Sequence, residues 1–285
     1  MEGLMSEKTV DILMITYNRA PYTDLALSEL ISRSKDHARI WVWHNGLDEE
    51  TLAVVRKYET DLFRFHHSKE NVGLTDPTNW LFENAEGDFV SKVDDDCIVP
   101  KDWLPKLKAA FSEEENFGIL GCWRFEEEDF LPEHANKKIQ EFAGGISVLR
   151  NAWVEGSGYL MRRECVDRLG PIRQGETFTD YCINVTRQGW VNGWIYPFLY
   201  QEHMDDPRAK HTGLHSDEDL LRRLPLTASR NGVATLDGWT EHLRQSAEGV
   251  QRAPFAASYW SPWRRKFRNL VHRLTRLLGG GERLW

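Results

Sequence analysis

Cysteine is scarce in this chain: four in 285 residues, Cys97, Cys122, Cys165 and Cys182, widely scattered and with no CxxC pair. That spacing excludes a disulfide framework and a cysteine-based zinc site, and it fits reduced, buried thiols in a cytosolic protein. Long hydrophobic runs are also missing, and none approaches the ~20 residues that a membrane-crossing helix needs. The opening stretch, Met1 to Lys8, lacks the basic-then-apolar order of a secretion signal. No internal repeat is visible. Positive charge is thin over most of the chain. The net charge is −8, but seven Arg and Lys residues against the single acid Glu282 lie from Arg264 onward, giving that tail +6 and the remainder −14. So acidic a body excludes nucleic acid as a general partner.

What is present reads as an ordinary globular protein, 41% hydrophobic and 28% charged. Residues 1 to 125 alternate strand-like and helix-like segments. Strands are expected over Val10–Thr16, Ile40–Trp43, Leu62–His66, Phe89–Val93 and Phe117–Trp123. Helices are expected over Tyr22–Ser32, Glu49–Tyr58, Pro77–Asn84 and Asp102–Phe111. Repeated βα units of this length imply an α/β fold, a mostly parallel Rossmann-like central sheet flanked by helices. Ligands of such sheets bind beyond the carboxyl ends of the strands, where Thr16, Asn45 and Asp94 to Asp96 would converge. Glu126 to Asn151 is charged and irregular and reads as a loop or flap. Strand, helix and strand resume at Gly158–Arg162, Phe178–Gln188 and Val191–Pro197, and 204–261 reads as short helices and loops. Trp263 to Leu278 has the apolar spacing of an amphipathic helix, stopped by Gly279 to Gly281.

Asp94-Asp95-Asp96, directly after an apolar strand, is the most informative feature. Adjacent carboxylates repel one another, so a fold that keeps three at a strand end usually offsets their charge. A divalent cation such as Mg²⁺ or Mn²⁺ would do so, and such ions bridge protein carboxylates to substrate phosphates. A solvated acidic turn is the bland alternative.

Four stretches, VDILMITYNRAP (10–21), ENVGLTDPTNW (70–80), DFVSKVDDDCIVP (88–100) and GSGYLMRRE (156–164), together resemble the inverting glycosyltransferases of family 2, which have the GT-A fold. The resemblance covers roughly residues 9 to 205. It implies a glycosyltransferase domain over 1–205, with a nucleotide-sugar half at 9–125 and an acceptor half at 126–205. An extension at 206–258 and a basic tail at 259–285 would follow. It also implies transfer from a nucleoside-diphosphate sugar, a UDP-sugar by preference, to a glycan or lipid-linked acceptor in surface-polysaccharide assembly.

By that resemblance Thr16, Tyr17, Asn18 and Arg19 hold the nucleotide, helped by Asn45, Asn71, Gly73 and Asn79. Asn45 stands where many relatives carry an aspartate. Asn71 and Gly73 could equally form a turn before a helix. The family's DXD motif falls on Asp94, Asp95 and Asp96. Asp94 would face the ribose and assist at the metal, Asp96 would grip Mn²⁺ or Mg²⁺, and Asp95 has the least defined role. His203 is the first choice for a further ligand and His211 the second. Gly156, Ser157 and Gly158 would line the sugar pocket, where small residues allow close approach, with Trp153 offering a stacking face to the acceptor.

Asp180 would be the general base at a helix start. Thr179 replaces the usual preceding glutamate, Glu176 is a substitute, and the alternative for Asp180 is a helix-terminal carboxylate favoured by the dipole. The tail fits an interfacial helix on an anionic membrane, with Trp260, Trp263 and Trp285 as anchors, or a helix docked on the acidic body. The location expected is cytoplasmic, at most peripheral on the membrane's inner face. A catalytically idle sugar-nucleotide or glycan binder on the same fold is the rival reading. A nucleotidyltransferase would need a glycine- and arginine-rich first loop, which TYNRAP lacks.

Overall fold

The structure, a computed structural model, describes residues 9–261. The tail segment from Trp263 onward, with Trp285, lies outside the described residues. In chain order the first half comprises Val10–Thr16 (β1), Ala20–Ser34 (α1), Ala38–Asn45 (β2), Glu49–Lys57 (α2), Arg64–Ser68 (β3), Thr75–Asn84 (α3), Phe89–Lys92 (β4), Cys97–Ile98 (β5), Trp103–Glu113 (α4) and Phe117–Gly121 (β6). Pro132–Ala135 (α5), Ile139–Glu141 (β7), Ser147–Asn151 (β8), Tyr159–Arg162 (β9), Arg163–Leu169 (α6), Phe178–Arg187 (α7), Val191–Tyr196 (β10) and Glu202–His203 (β11) follow. Asp217–Arg223 (α8), Leu226–Asn231 (α9) and Leu236–Arg252 (α10) complete the order.

Nine strands form one sheet in the order β3-β2-β1-β4-β9-β6-β10-β8-β7. The pairs β1/β2, β2/β3, β1/β4 and β6/β10 are parallel, whereas β9 runs antiparallel between β4 and β6. Every residue of β1 is buried, as a central strand covered on both faces requires. Its one acid, Asp11, is satisfied by the Arg39 guanidinium, the Trp41 Nε1–H and the Gly87 amide, so the buried charge has partners on every side. Two apolar clusters sandwich the sheet, one around Met14, Leu27, Trp103 and Phe111, the other around Leu13, Trp41, Tyr159 and Trp194. All four cysteines are buried and free, as their scatter suggested.

Two expectations need correction, and one unassigned segment gains a helix. The stretch 126–151 is no flap: it supplies α5 and the antiparallel β7/β8 hairpin, which extends the sheet along β10. Its charged surface residues hid the buried Val148 and Leu149 that seat the hairpin. Residues 163–169, without an assignment from sequence, form α6. The region 204–261 holds one helix of 17 residues, α10, whose Trp239, Leu243, Ala247 and Val250 are buried along one side.

The element that matters most for the site is the smallest. β5 and β11 pair antiparallel, setting His203 opposite Cys97 and Glu202 opposite Ile98. The Met204 amide then donates to the Asp96 carbonyl at 2.8 Å. Residues more than a hundred positions apart in sequence are thereby joined beside the aspartate triplet.

Candidate active site

The first loop and the aspartate triplet meet because β1 and β4 are parallel neighbours ending on the same side of the sheet. Asp95 ties them together: its Oδ2 accepts from the Tyr17 amide at 3.2 Å and from the Thr23 hydroxyl at 3.3 Å. Burial and the neighbouring aspartates push its carboxyl up to about 7, against the pull of Arg19. The triplet member with the least defined role from sequence therefore organises the loop. Asn18 takes the left-handed conformation, φ 50°, which asparagine tolerates. The chain thus turns there and Arg19 points back into the site. Tyr17 is 42% exposed, lies over Gly46 and presents an open aromatic face. Thr16 is fully buried, its hydroxyl bonded to His44 Nδ1.

At the centre lie Asp96, His203 and Asp205, one ligand atom from each within 4.8 Å of the others. Arg19 Nη1 donates to Asp96 Oδ2 at 2.8 Å and to Asp205 Oδ2 at 2.7 Å. His203 Nε2 stands 4.0 Å from Asp96 Oδ2. Burial alone would raise the Asp96 carboxyl, but Arg19 and His203 outweigh it and hold it below the usual range. Asp205 is pushed up to about 7 by burial and by Asp96. Burial lowers His203 to about 4, so at neutral pH its ring is uncharged and a lone pair is available to a metal. Two carboxylates and one neutral imidazole suit Mn²⁺ or Mg²⁺. Asp205 Oδ1 is buried with no hydrogen-bond partner within the protein, an atom such an ion would satisfy.

Asp94 is not in that group. It pairs with the Lys92 ammonium, its amide donates to Ser157 Oγ at 3.0 Å, and its carboxyl is raised by burial despite Lys92. Successive residues of the triplet face different partners, so only Asp96 reaches the cluster. His211, the second choice from sequence, is drawn away by Glu202, 2.9 Å from its Nδ1, and lies outside the cluster. Asp205 was missed as a site residue because nothing in its local sequence, an acid pair before Pro207, marks it as a ligand. Only the β5/β11 pairing brings it to Asp96.

Several of the expected nucleotide contacts are committed to the protein itself. Asn45 accepts from Trp43 Nε1 and the Val72 amide and donates to the Gly73 carbonyl, so it shapes the 71–73 loop. Asn71 closes an Asx turn by accepting from the Gly73 amide, and Gly73 sits at φ 78°. Asn79 uses both ends of its amide on the Ile172 backbone, at 2.9 and 2.8 Å, clasping α3 to the segment after α6. These side chains position the loop and take up the Val72 and Gly73 amides and the Gly73 carbonyl, which leaves the open face of Tyr17 to a ligand.

The GSGY stretch lies against the triplet. The Gly158 amide donates to the Lys92 carbonyl, and at φ 65° its Cα faces Gln201 so closely that any Cβ would collide with Oε1. A Cβ on Gly156 would meet Phe178, the first residue of α7. Contacts thus run from Asp94 through Ser157 and Gly156 to the start of the helix that carries Asp180. Asp180 closes a capping box there: its Oδ2 accepts from the Thr177 hydroxyl at 2.8 Å and the Thr177 amide at 3.2 Å. Both oxygens of Glu176 are engaged, by Asn184 and by the Arg173 amide. Trp153 stacks edge-on against Trp260, with centroids 5.2 Å apart. Trp260 also donates to the Pro254 carbonyl. Arg124, which sequence reading passed over, pairs with Glu155 at 3.0 Å and lowers the proton affinities of Asp94 and His203.

The profile of glycosyl transferase family 2 matches residues 11–170, more than half of the chain. The chain belongs to glycosyl transferase family 2. Among curated proteins, the uncharacterized glycosyltransferase YfnE of Bacillus subtilis is 32% identical over 95 residues, 30% of this chain and 24% of its own length. Protein CgeD of the same organism is 26% identical over 116 residues, 38% of this chain and 27% of its own. The match thus spans about a quarter of each of these relatives. Among solved structures, the mannosyltransferase PcManGT from Pyrobaculum calidifontis, in complex with GDP-Man and Mn²⁺, superposes with a TM-score of 0.59. That superposition has 16% identity and covers 95% of this chain and 81% of that one. S. aureus TarS in complex with UDP-GlcNAc gives a TM-score of 0.53 at 17% identity, over 78% and 66%. At these identities the likeness shows the fold, the mostly parallel GT-A sheet with helices on its faces. No helix among the described residues is long and apolar enough to cross a membrane.

Proposed function

We propose that this family 2 chain transfers a sugar, with inversion, from a nucleoside-diphosphate sugar to a hydroxyl of a glycan or lipid-linked acceptor, and that the transfer depends on Mn²⁺ or Mg²⁺. The observation that carries the reading is the cluster of Asp96, His203, Asp205 and Arg19 at the strand ends. A UDP-sugar is the proposed donor, an assignment supported by the UDP-GlcNAc complex of TarS. A guanosine donor, as in the PcManGT complex, is the competing outcome.

In this reading Tyr17 stacks on the base beside the loop that Asn45 and Asn71 shape, and the Arg19 guanidinium meets the diphosphate, for which its planar donors are suited. When bound, the metal neutralises charge on the departing nucleoside diphosphate. Gly156, Ser157 and Gly158 present the sugar to Asp180 across the start of α7. Asp180 accepts the proton of the acceptor hydroxyl as that oxygen bonds to the anomeric carbon and the bond to the diphosphate breaks on the opposite face. Lys92 and Ser157 hold Asp94 toward the ribose side.

Thermal-shift titration of nucleoside diphosphates, with and without Mn²⁺, tests the reading. UDP should raise the melting temperature only when the metal is present. Equal shifts without metal, or none for any nucleoside diphosphate, would sink it. A lipid-linked acceptor and contact of the basic tail with an anionic surface, in surface-polysaccharide assembly, belong to the same proposal. Liposome co-sedimentation of the full chain and of one ending before Arg264 should differ, and equal binding would remove the membrane part.

A further inference from the structure

Arg19 makes an unusual ion pair. A guanidinium normally meets one carboxylate with two parallel N–H groups. Here the one nitrogen Nη1 spans two carboxylates from distant segments, Asp96 at 2.8 Å and Asp205 at 2.7 Å, as a compact cation would. Its backbone is fixed, since the Arg19 amide donates to Thr51 Oγ1, so only the flexible stem holds the charge in place.

Asp205 is correspondingly rigid and incompletely used. Its side chain is 3% exposed and its Oδ1 finds no partner within the protein, which is costly for a buried carboxylate. The segment that carries it is clamped from three directions. The Met204 amide donates to the Asp96 carbonyl, the Tyr22 hydroxyl to the Met204 carbonyl, and Trp239 Nε1 to the Asp205 carbonyl at 2.6 Å. A carboxylate kept only to pair with Arg19 would need neither that aim nor a spare oxygen.

We propose that Asp205 is a third protein ligand of the divalent cation, beside Asp96 and His203, and that Arg19 is the cation's placeholder, bridging the two carboxylates in the metal-free protein and yielding them when the ion enters. This rests on the metal-dependent reading above. Arg19 neutralises part of the repulsion between Asp96 and Asp205 while the ion is away, so the ligands stay assembled. Released, its guanidinium remains beside the site, next to where the diphosphate charge arrives.

The test is Mn²⁺ binding to the full chain without donor, read by the loss of the free-ion EPR signal. Asp96→Asn should weaken binding, and that result bears on the metal reading alone. Arg19→Met should tighten binding, because the competing charge is gone. In the Arg19→Met background, Asp205→Asn should weaken binding by about tenfold or more, as a ligand should when outer partners alone are worth 10–100-fold. Unchanged affinity in that background overturns Asp205 as a ligand, and unchanged or weaker affinity for Arg19→Met overturns the placeholder. If Asp96→Asn has no effect either, the metal reading itself has failed. Should Asp205→Asn lose its melting transition, Asp205→Cys decides. A thiolate at a ligand position shifts preference from Mn²⁺ toward Cd²⁺ and gives a Cd–S absorption band above wild type, and no shift and no band refutes the assignment.

Discussion

Asp180 is asked to do two things with one carboxylate. Its Oδ2 closes the capping box with Thr177, while the proposed chemistry needs the same group to accept a proton. The two roles separate in Asp180→Asn, because an amide oxygen can still accept from Thr177 but cannot serve as a base. General-base catalysis contributes roughly 10²–10⁴-fold, so turnover should fall by that factor. Affinity for the nucleoside diphosphate should stay within about twofold of wild type if the capping box is preserved, since at its third helical position an amide oxygen can accept from the N-cap as a carboxylate does. Single-turnover transfer and calorimetric donor titration read the two quantities. Retained turnover would move the base elsewhere and strengthen the idle-binder reading. At this scale the sequence was partly legible: Asp96 and His203, which the structure brings together, stand out by residue type and neighbourhood. Asn45 and Asn79 do not reveal their roles, because an asparagine aimed at a ligand and one spent on the Gly73 or Ile172 backbone look identical in sequence.

Among the elements, the two-residue pairing of β5 with β11 does more for the site than any long helix. Tyr22 on α1 braces it, donating to the Met204 carbonyl at 2.8 Å and accepting from the Gly213 amide at 2.7 Å. Tyr22→Phe leaves both groups without that partner, at a cost of about 1–3 kcal/mol in stability. If the brace aims Asp205, Mn²⁺ affinity should fall several-fold as well. A lowered melting temperature with full metal affinity would show that the loop keeps its aim without Tyr22. The βα units of residues 10–121 were readable because apolar segments of fixed length alternate with helix-capping and turn residues. The β7/β8 hairpin was not, because its strands are short and its loop charged. A two-residue ladder such as β5/β11 carries no periodicity to read, and its partners are chosen by tertiary packing.

At the scale of the molecule, α10 is sealed to the sheet's far edge by a buried amine. Lys138, just before β7, donates from Nζ to the Val250 carbonyl at 2.7 Å and lies 3.4 Å from Asn151 Oδ1. Burial lowers its ammonium from the usual 10.5 to about 7. The folded state therefore binds this proton less readily than the unfolded chain does. The cost is absent above about pH 10.5, grows as pH falls, and is complete below about pH 7. Lys138→Met removes the titration but also the bond to Val250. Denaturant unfolding of both proteins should show the variant's stability, relative to wild type, falling as pH rises from 7 to 10. The limiting slope is about 1.4 kcal/mol per pH unit. A pH-independent difference would mean that Lys138 is hydrated when folded.

The sequence by itself determined the α/β class, the order of the first seven elements, the burial of the cysteines and the place of Asp94 to Asp96 at a strand end. Each of these follows from local periodicity and residue chemistry, which a chain carries wherever it folds. Tertiary structure alone decided which carboxylates share a cation. Asp94, adjacent to the triplet's other members, turns to Lys92, while Asp205, more than a hundred residues away, meets Asp96 through β11. The triplet sits in a turn that the Cys97 amide closes on the Asp94 carbonyl, so its side chains diverge, and only packing against α1 and α10 brings remote side chains within a few ångströms.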